Sequence, residues 1–269
     1  MTGEAGADVG DGNIRVAETD GGVAEVVIDR PERRNALSWE MVRRMREVLG
    51  GLKEDPGTRV VVIKGAGDRA FCAGVDLAAM APGVGEFELH NARGELAGLF
   101  EDLWSLGKPT VAAVRGFALA GGFGLALSCD LVVAADDAVF GTPEIDVGLW
   151  PYMITVPMLR SMPPRLALEL MMTGRRMSAE EAERKGVVNL VVPADRLDDE
   201  VGRLASTLAA KSSAALALGR DSFYAVLDAP SRQALRHLQA ALSVAARLED
   251  AAEGIAAFRE KRAPSWHDR

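Results

Sequence analysis

The sequence predicts a layered α/β fold followed by a helix-rich tail, and three observations carry that prediction. Short apolar, β-rich runs alternate with amphipathic stretches from Ile14 to about Ala135, in a recurring order of strand, strand, helix. From Leu166 onward the pattern turns helical, with only "VVNLVV" reading as a strand. A hydrophobic content of 48% over 269 residues, with 26% charged residues, supplies enough apolar surface for a substantial core.

Taken in order, residues 1–12, "MTGEAGADVGDG", lack the basic start and apolar centre of a signal peptide and read as a disordered leader. "IRVAET" and "VAEVVID" flank the turn "DGG" at 20–22 and read as a hairpin. "SWEMVRRMREVLGGLKED" places Trp39, Met41, Val42, Met45, Val48 and Leu49 at helical spacing, with Ser38 as N-cap and Gly50 and Gly51 as a stop. "RVVVIKG" and "TVAAVRG" are buried strands, "LAGGFGLALSC" is a helix, and "LVVAADDAVFGTPE" returns to strand and turn. In the tail, Val201, Leu204 and Leu208 share one helical face, and a further helix runs from about Ser231 to Leu248. Such an apolar appendage packs either on a neighbouring subunit or on its own chain, and the residues leave both open.

Composition removes several classes of function. A formal charge of −8 argues against nucleic acid or an anionic membrane as the main partner, since either needs a broad basic surface. Cys72 and Cys129 form no CxxC, which excludes a disulfide framework or zinc site and points to a reducing, cytoplasmic setting. His90, His237 and His267 flank no nucleophile, so a Ser-His-Asp triad has no basis. The run "PTVAAVRGFALAGGFGLALSC" is interrupted by Arg115 and four glycines and reads as a buried strand and helix, not a membrane span.

The chemistry-bearing signals are two glycine loops and one carboxylate. Gly65-x-Gly67-x-x-Ala70 follows a strand as a dinucleotide-binding turn would, but Phe71 to Gly74 interrupts the helix such a turn must open. Gly74 instead lets the chain bend so that the Val75 N–H points into a cleft, and Gly121 offers a second amide at a helix start. Two such donors meeting at one carbonyl oxygen form an oxyanion hole. The plainer alternative is that these glycines serve tight turns and close packing.

At this point "RPERRNALSWEM", "RAFCAGVDL", "VRGFALAGGFGLALSCDLVVAADDAVFGTPEIDVGL" and "AFREKRAPSW" together resemble the enoyl-CoA hydratase/isomerase, or crotonase, family, over nearly the whole chain from about Ile14 to Trp266. The resemblance implies an α/β spiral of repeated β-β-α units over 13–198 and a C-terminal helical trimerisation region over 199–269, assembling as a homotrimer or a dimer of trimers. It implies an acyl-CoA thioester substrate, no cofactor beyond that CoA, no metal, and no nucleic-acid or membrane partner. It assigns the oxyanion donors to Val75 and Gly121, with Gly74 and Gly122 giving close approach. Asn35, Ala36, Leu37, Ala73 and Asp76 would line the CoA path. Arg30, Arg33, Arg34 and Lys261 are candidates for its phosphates, Lys261 reaching the ligand of an adjacent subunit, and Trp150 would shape the acyl end.

The resemblance also locates a difference. Two-carboxylate hydratases of the family carry glutamates at the positions matching Gly124 and Glu144, and this chain keeps only Glu144. One carboxylate suffices to take a proton from one carbon and return it to another, so double-bond isomerisation is slightly favoured, and an apolar cleft would raise the pKa of Glu144 towards a useful value. Asp146 is read as structural, pointing away from Glu144 in an extended segment, and Tyr152 replaces the extra aspartate of the dienoyl-CoA isomerase branch. Gly124 is expected to leave a gap opposite Glu144. The alternatives are a hydratase despite Gly124, a decarboxylase or thioesterase, or a non-catalytic acyl-CoA-binding protein.

Overall fold

The apolar strands resolve into two sheets that share one core. The computed structural model describes residues 13–19, 21–76 and 85–268; the leader at 1–12 and Asp20 of the hairpin turn lie outside them. Strands β1 (Asn13–Thr19) and β2 (Val23–Asp29) form the expected antiparallel hairpin. Then follow α1 (Trp39–Glu54), β3 (Val60–Gly65), β4 (Ala70–Cys72), α2 (Glu86–Trp104), β5 (Thr110–Val114), β6 (Phe117–Leu119), α3 (Gly121–Ser128), β7 (Leu131–Ala135) and β8 (Val139–Gly141). The larger sheet has the order β1-β2-β3-β5-β7 and ends on β10 (Leu190–Val192); the smaller has the order β4-β6-β8 and ends on β9 (Met177–Ser178). Each strand-strand-helix unit thus gives one strand to each sheet, and β4, β6 and β8 run parallel.

Strands β3, β5 and β7 are apolar without interruption because both faces of their sheet are covered. Alternate residues such as Val61, Ile63, Ala112 and Val114 face a core shared with α1, α2 and α3. Their neighbours Val60, Val62, Val111 and Ala113 face α7 (Leu197–Ala209) through Leu197, Val201 and Ala205. The face of Val201, Leu204 and Leu208, left open between two roles by the sequence, is therefore covered by the chain's own sheet, and the boundary at 198/199 falls inside this helix.

Ser38 caps α1, its hydroxyl accepting from the Met41 amide at 3.2 Å. Gly50 and Gly51 do not stop it. The helix continues to Glu54 because Leu52 is buried on the same face, and Lys108 donates to the otherwise unpaired carbonyls of Leu52 and Asp55.

After β8 come α4 (Thr155–Ser161), α5 (Pro164–Thr173) and α6 (Ala179–Arg184), and after α7 the appendage of α8 (Ser213–Leu227), α9 (Ser231–Ala245) and α10 (Glu249–Glu260). One carboxylate fastens α8 to the core. Asp130 receives the Arg220 guanidinium at 2.8 Å, the Tyr224 hydroxyl at 2.7 Å and the Thr110 amide at 2.7 Å. Arg220 also donates to the Leu103 and Trp104 carbonyls that end α2. Buried Asp250 holds the C-terminal segment, accepting from the Ser212 hydroxyl and from the amides of His267 and Asp268. No residue of α8 or α9 is buried. No described helix is long and apolar enough to cross a membrane.

Candidate active site

Three adjacent parallel strands deliver the expected catalytic groups from their C-terminal ends, where open parallel sheets commonly present ligand sites. Val75 follows β4, Gly121 follows β6 and Glu144 follows β8. The strand ends are held in step: Leu119 lies opposite Gly141 in register, and the Ala120 amide donates to the Gly141 carbonyl at 2.9 Å.

The direction of the Val75 amide follows from its neighbours. Leu37 donates to the Gly74 carbonyl at 2.8 Å and accepts from the Asp76 amide at 2.9 Å, forming a parallel bridge with Val75. In such a bridge the N–H of the central residue points away from its partner, so the Val75 amide faces away from Leu37. Gly74 makes this possible at φ +99°, where a side chain would also meet the Ala120 Cβ at 2.7 Å. Gly121 opens α3, so its amide has no acceptor within the helix and lies at the positive end of the dipole. A side-chain carbon on Gly121 would sit 3.7 Å from the Val75 nitrogen, which places the two amides side by side. Among the described residues neither donates to a protein acceptor.

Ala120, between β6 and α3, adopts φ 51° and ψ −131°. An alanine with positive φ stores strain of about 1–3 kcal/mol. Nothing in its residue type signals this. Gly122 has a different task from the one expected: a side chain there would strike the Cys72 carbonyl oxygen at 2.2 Å, so it lets α3 close on β4 and does not line the substrate.

Glu144 lies in a short 3-10 turn, Pro143–Val147, started by the fixed φ of Pro143. Burial pushes its carboxyl up from 4.5 to about 7, while a hydrogen bond from its own backbone and the Arg176 charge pull the other way. Its Oε2 is shielded from solvent and meets no donor among the described residues. A carboxyl with a pKa near neutrality and a bare oxygen is equipped to accept and return a proton. Asp146 is in the same 3-10 turn, not in an extended segment, and its carboxylate lies against the end of α5, about 3 Å from where a Gly174 side chain would start.

The gap expected at Gly124 is filled. A Cβ there would lie 2.4 Å from Ile154 Cγ2 and 2.9 Å from Phe100 Cζ, both residues being 2% exposed. Ile154, just ahead of α4, and Phe100 of α2 were not singled out from the sequence, because nothing in an apolar residue tells core from cleft wall.

The CoA-side expectations divide. Arg30 is 3% exposed and donates to Asp76 at 2.9 Å and to the Ala36 carbonyl at 3.2 Å; it ties the two loops together and is not placed to meet a phosphate, and Asp76 is its counterion and not a ligand group. Asn35 is buried at φ 56°, its side chain accepting from the Arg30 amide and donating to the Ala66 and Ala70 carbonyls. Leu37 is fully buried with both backbone groups paired, so Asn35 and Leu37 support the loop, leaving half-buried Ala36 and Ala73 at its surface. Arg33 and Arg34 are exposed. Lys261 is exposed at the end of α10, and within this chain no contact among the described residues joins it to Glu144 or the two amides. Trp150 is half-buried against the core, while Tyr152 is 74% exposed.

Gly65-x-Gly67-x-x-Ala70 leads into strand β4 and not into a helix, which removes the dinucleotide reading. Cys72 and Cys129 are both buried free thiols, burial pushing that of Cys72 up to about 12. Among the described residues no cluster could hold a metal ion. A concavity of about 780 Å³ beside α7 and another of about 230 Å³ under α8 are not lined by Glu144, Val75 or Gly121.

Residues 18–269 match the model of the enoyl-CoA hydratase/isomerase family. The chain belongs to that family. It is 39% identical over 256 residues to a carnitinyl-CoA dehydratase of Proteus mirabilis, covering 93% of this chain and 97% of that one. Its structure superposes on an enoyl-CoA hydratase of Mycobacterium smegmatis with a TM-score of 0.91 at 34% identity, covering 94% of this chain and 98% of that one. An enoyl-CoA hydratase of Bacillus anthracis gives a TM-score of 0.91 at 32% identity, with 96% and 100% covered. The two-sheet spiral is thus the crotonase fold, and the chain is an acyl-CoA-processing enzyme of this family.

Proposed function

We propose that the enzyme moves the double bond of an enoyl-CoA thioester, with Glu144 as its single acid and base. The Glu144 carboxylate takes a proton from C2 of a 3-enoyl thioester. Charge develops on the thioester oxygen, where the Val75 and Gly121 amides hold it, each donor contributing on the order of 10²–10³ in rate. The Glu144 carboxylic acid then returns the proton to C4, leaving the 2-enoyl thioester. No cofactor enters, since CoA belongs to the substrate; Ala36, Ala73, Arg33 and Arg34 are the groups proposed along its path.

The observation that carries this reading is the filled space at Gly124, which leaves Glu144 with no second carboxylate from that helix. A second reading, dehydration of a 3-hydroxyacyl-CoA or the reverse hydration, draws support from the relatives named carnitinyl-CoA dehydratase. Here Glu144 would take the C2 proton and pass it to the departing hydroxyl. Incubating the protein with crotonyl-CoA and with 3-enoyl-CoA esters in deuterated water, with products read by mass, separates the two. A labelled 2-enoyl product from the 3-enoyl ester supports isomerisation; rapid conversion of crotonyl-CoA to the hydroxy ester overturns it.

The proposal includes a trimer or a dimer of trimers. The appendage exposes Leu235, Leu242 and Phe258 at 70%, 69% and 84%, more apolar surface than a monomer usually leaves in water. In that assembly Lys261 would serve a neighbouring site. Light scattering that returns a clean monomer mass contradicts it.

A further inference from the structure

Gly124 stands one helical turn after Gly121, and positions three apart share a side of an α-helix. The side of α3 that offers the oxyanion amide therefore also carries Gly124. What stands against that side is wholly apolar. Leu96 Cδ2 lies 3.4 Å from the Cβ position of Gly121; Ile154 Cγ2 and Cβ lie 2.4 and 2.9 Å, and Phe100 Cζ 2.9 Å, from that of Gly124. Leu96, Phe100 and Ile154 are each 2% exposed. Leu96 and Phe100 are one turn apart on α2, and Ile154 lies on the connection that begins at Glu144, so the three form one wall along α3.

Such a wall bears on which reaction follows enolate formation. A bound water needs room and about two to four polar partners, and these side chains give neither. A proton taken by Glu144 then has carbon as its acceptor, and C3 has no water beside it. We propose that Ile154, with Phe100 behind it, is the specificity-determining residue of this enzyme: it holds the volume a reactive water would need and so commits the enolate to proton return over hydration. The inference rests on the isomerase reading given above. Ile154 acts by the space it occupies, and Glu144 still does the chemistry.

The test is the partition of products from a 3-enoyl-CoA ester in water enriched in oxygen-18, comparing the parent with Ile154→Ala and, separately, Phe100→Leu, which withdraws the Cζ that faces Gly124. Each variant is checked for folding by circular dichroism. Opening the wall should raise the ratio of labelled 3-hydroxyacyl-CoA to 2-enoyl-CoA by about tenfold or more, since one or two missing carbons in an apolar pocket change discrimination by roughly that much. Where Ile154→Ala does not fold, Phe100→Leu carries the test with the same direction expected. A folded variant that still isomerises with the parent's product ratio overturns the inference while leaving the isomerase reading intact. A parent that does not isomerise at all overturns that reading, and the inference with it.

Discussion

Replacing Glu144 by glutamine should stabilise the protein at pH 8 and change it little at pH 4.5. Burial raises the carboxyl from 4.5 to about 7 in the folded chain, so between those values the native state holds a proton that the unfolded state has released. Stability therefore falls as pH rises through that interval, and the loss is complete above about 7. At about 1.4 kcal/mol per pH unit the whole effect is about 3 kcal/mol. Glutamine has the same shape and no charge to desolvate, so Glu144→Gln should escape the loss. Thermal melts of both proteins at pH 5 and pH 8 check this, with about 2–4 °C expected per kcal/mol for a chain of this size. A difference between parent and variant that is the same at both pH values refutes the desolvated carboxyl. Because proton abstraction needs the ionised form, kcat/KM of the parent should rise with pH through about 7.

Two further substitutions test how the site is held. Gly122→Ala puts a carbon 2.2 Å from the Cys72 carbonyl oxygen, a backbone atom that cannot swing aside; α3 must shift and take the Gly121 amide with it. A loss of about 10²–10³ in kcat at unchanged helix content is expected, and undiminished kcat would count against the amide's role. Asp130→Ala leaves the Arg220 guanidinium, 7% exposed, without its carboxylate; urea titration should show a loss of about 3–5 kcal/mol. Limited proteolysis should then cut first between α7 and α8, and a pattern like the parent's would argue that α8 is held by other means.

What the sequence made legible was local. The hairpin, the Ser38 cap and the buried strands follow from periodicity and capping chemistry, which act within a few residues. The catalytic glutamate and the two amides came from a resemblance, and the strand ends of the smaller sheet place them together. The strands that do so, "AFC", "FAL" and "VFG", have three residues each, too short for any period to show. Other features depended on partners distant in sequence. Gly50 and Gly51 remain helical because Lys108 caps their helix from another element. Arg30 carried a charge that suited phosphate, yet Asp76 claims it. Gly124 read as a gap because a glycine says nothing about what stands across from it, and Ile154 stands there. The strained Ala120 was equally silent, since positive φ is imposed by the turn between β6 and α3 and not by the residue.

The central claim is that Glu144 exchanges protons with carbon while the Val75 and Gly121 amides hold the thioester oxygen. The most direct measurement is exchange of the α-protons of butyryl-CoA, which has no double bond to move or hydrate, in deuterated water with the parent and with Glu144→Gln, each at a concentration that saturates binding. The parent should incorporate deuterium at C2, and the variant should bind the thioester with unchanged Kd yet exchange about 10²–10⁴ times more slowly. Exchange by the variant at the parent's rate would contradict the account.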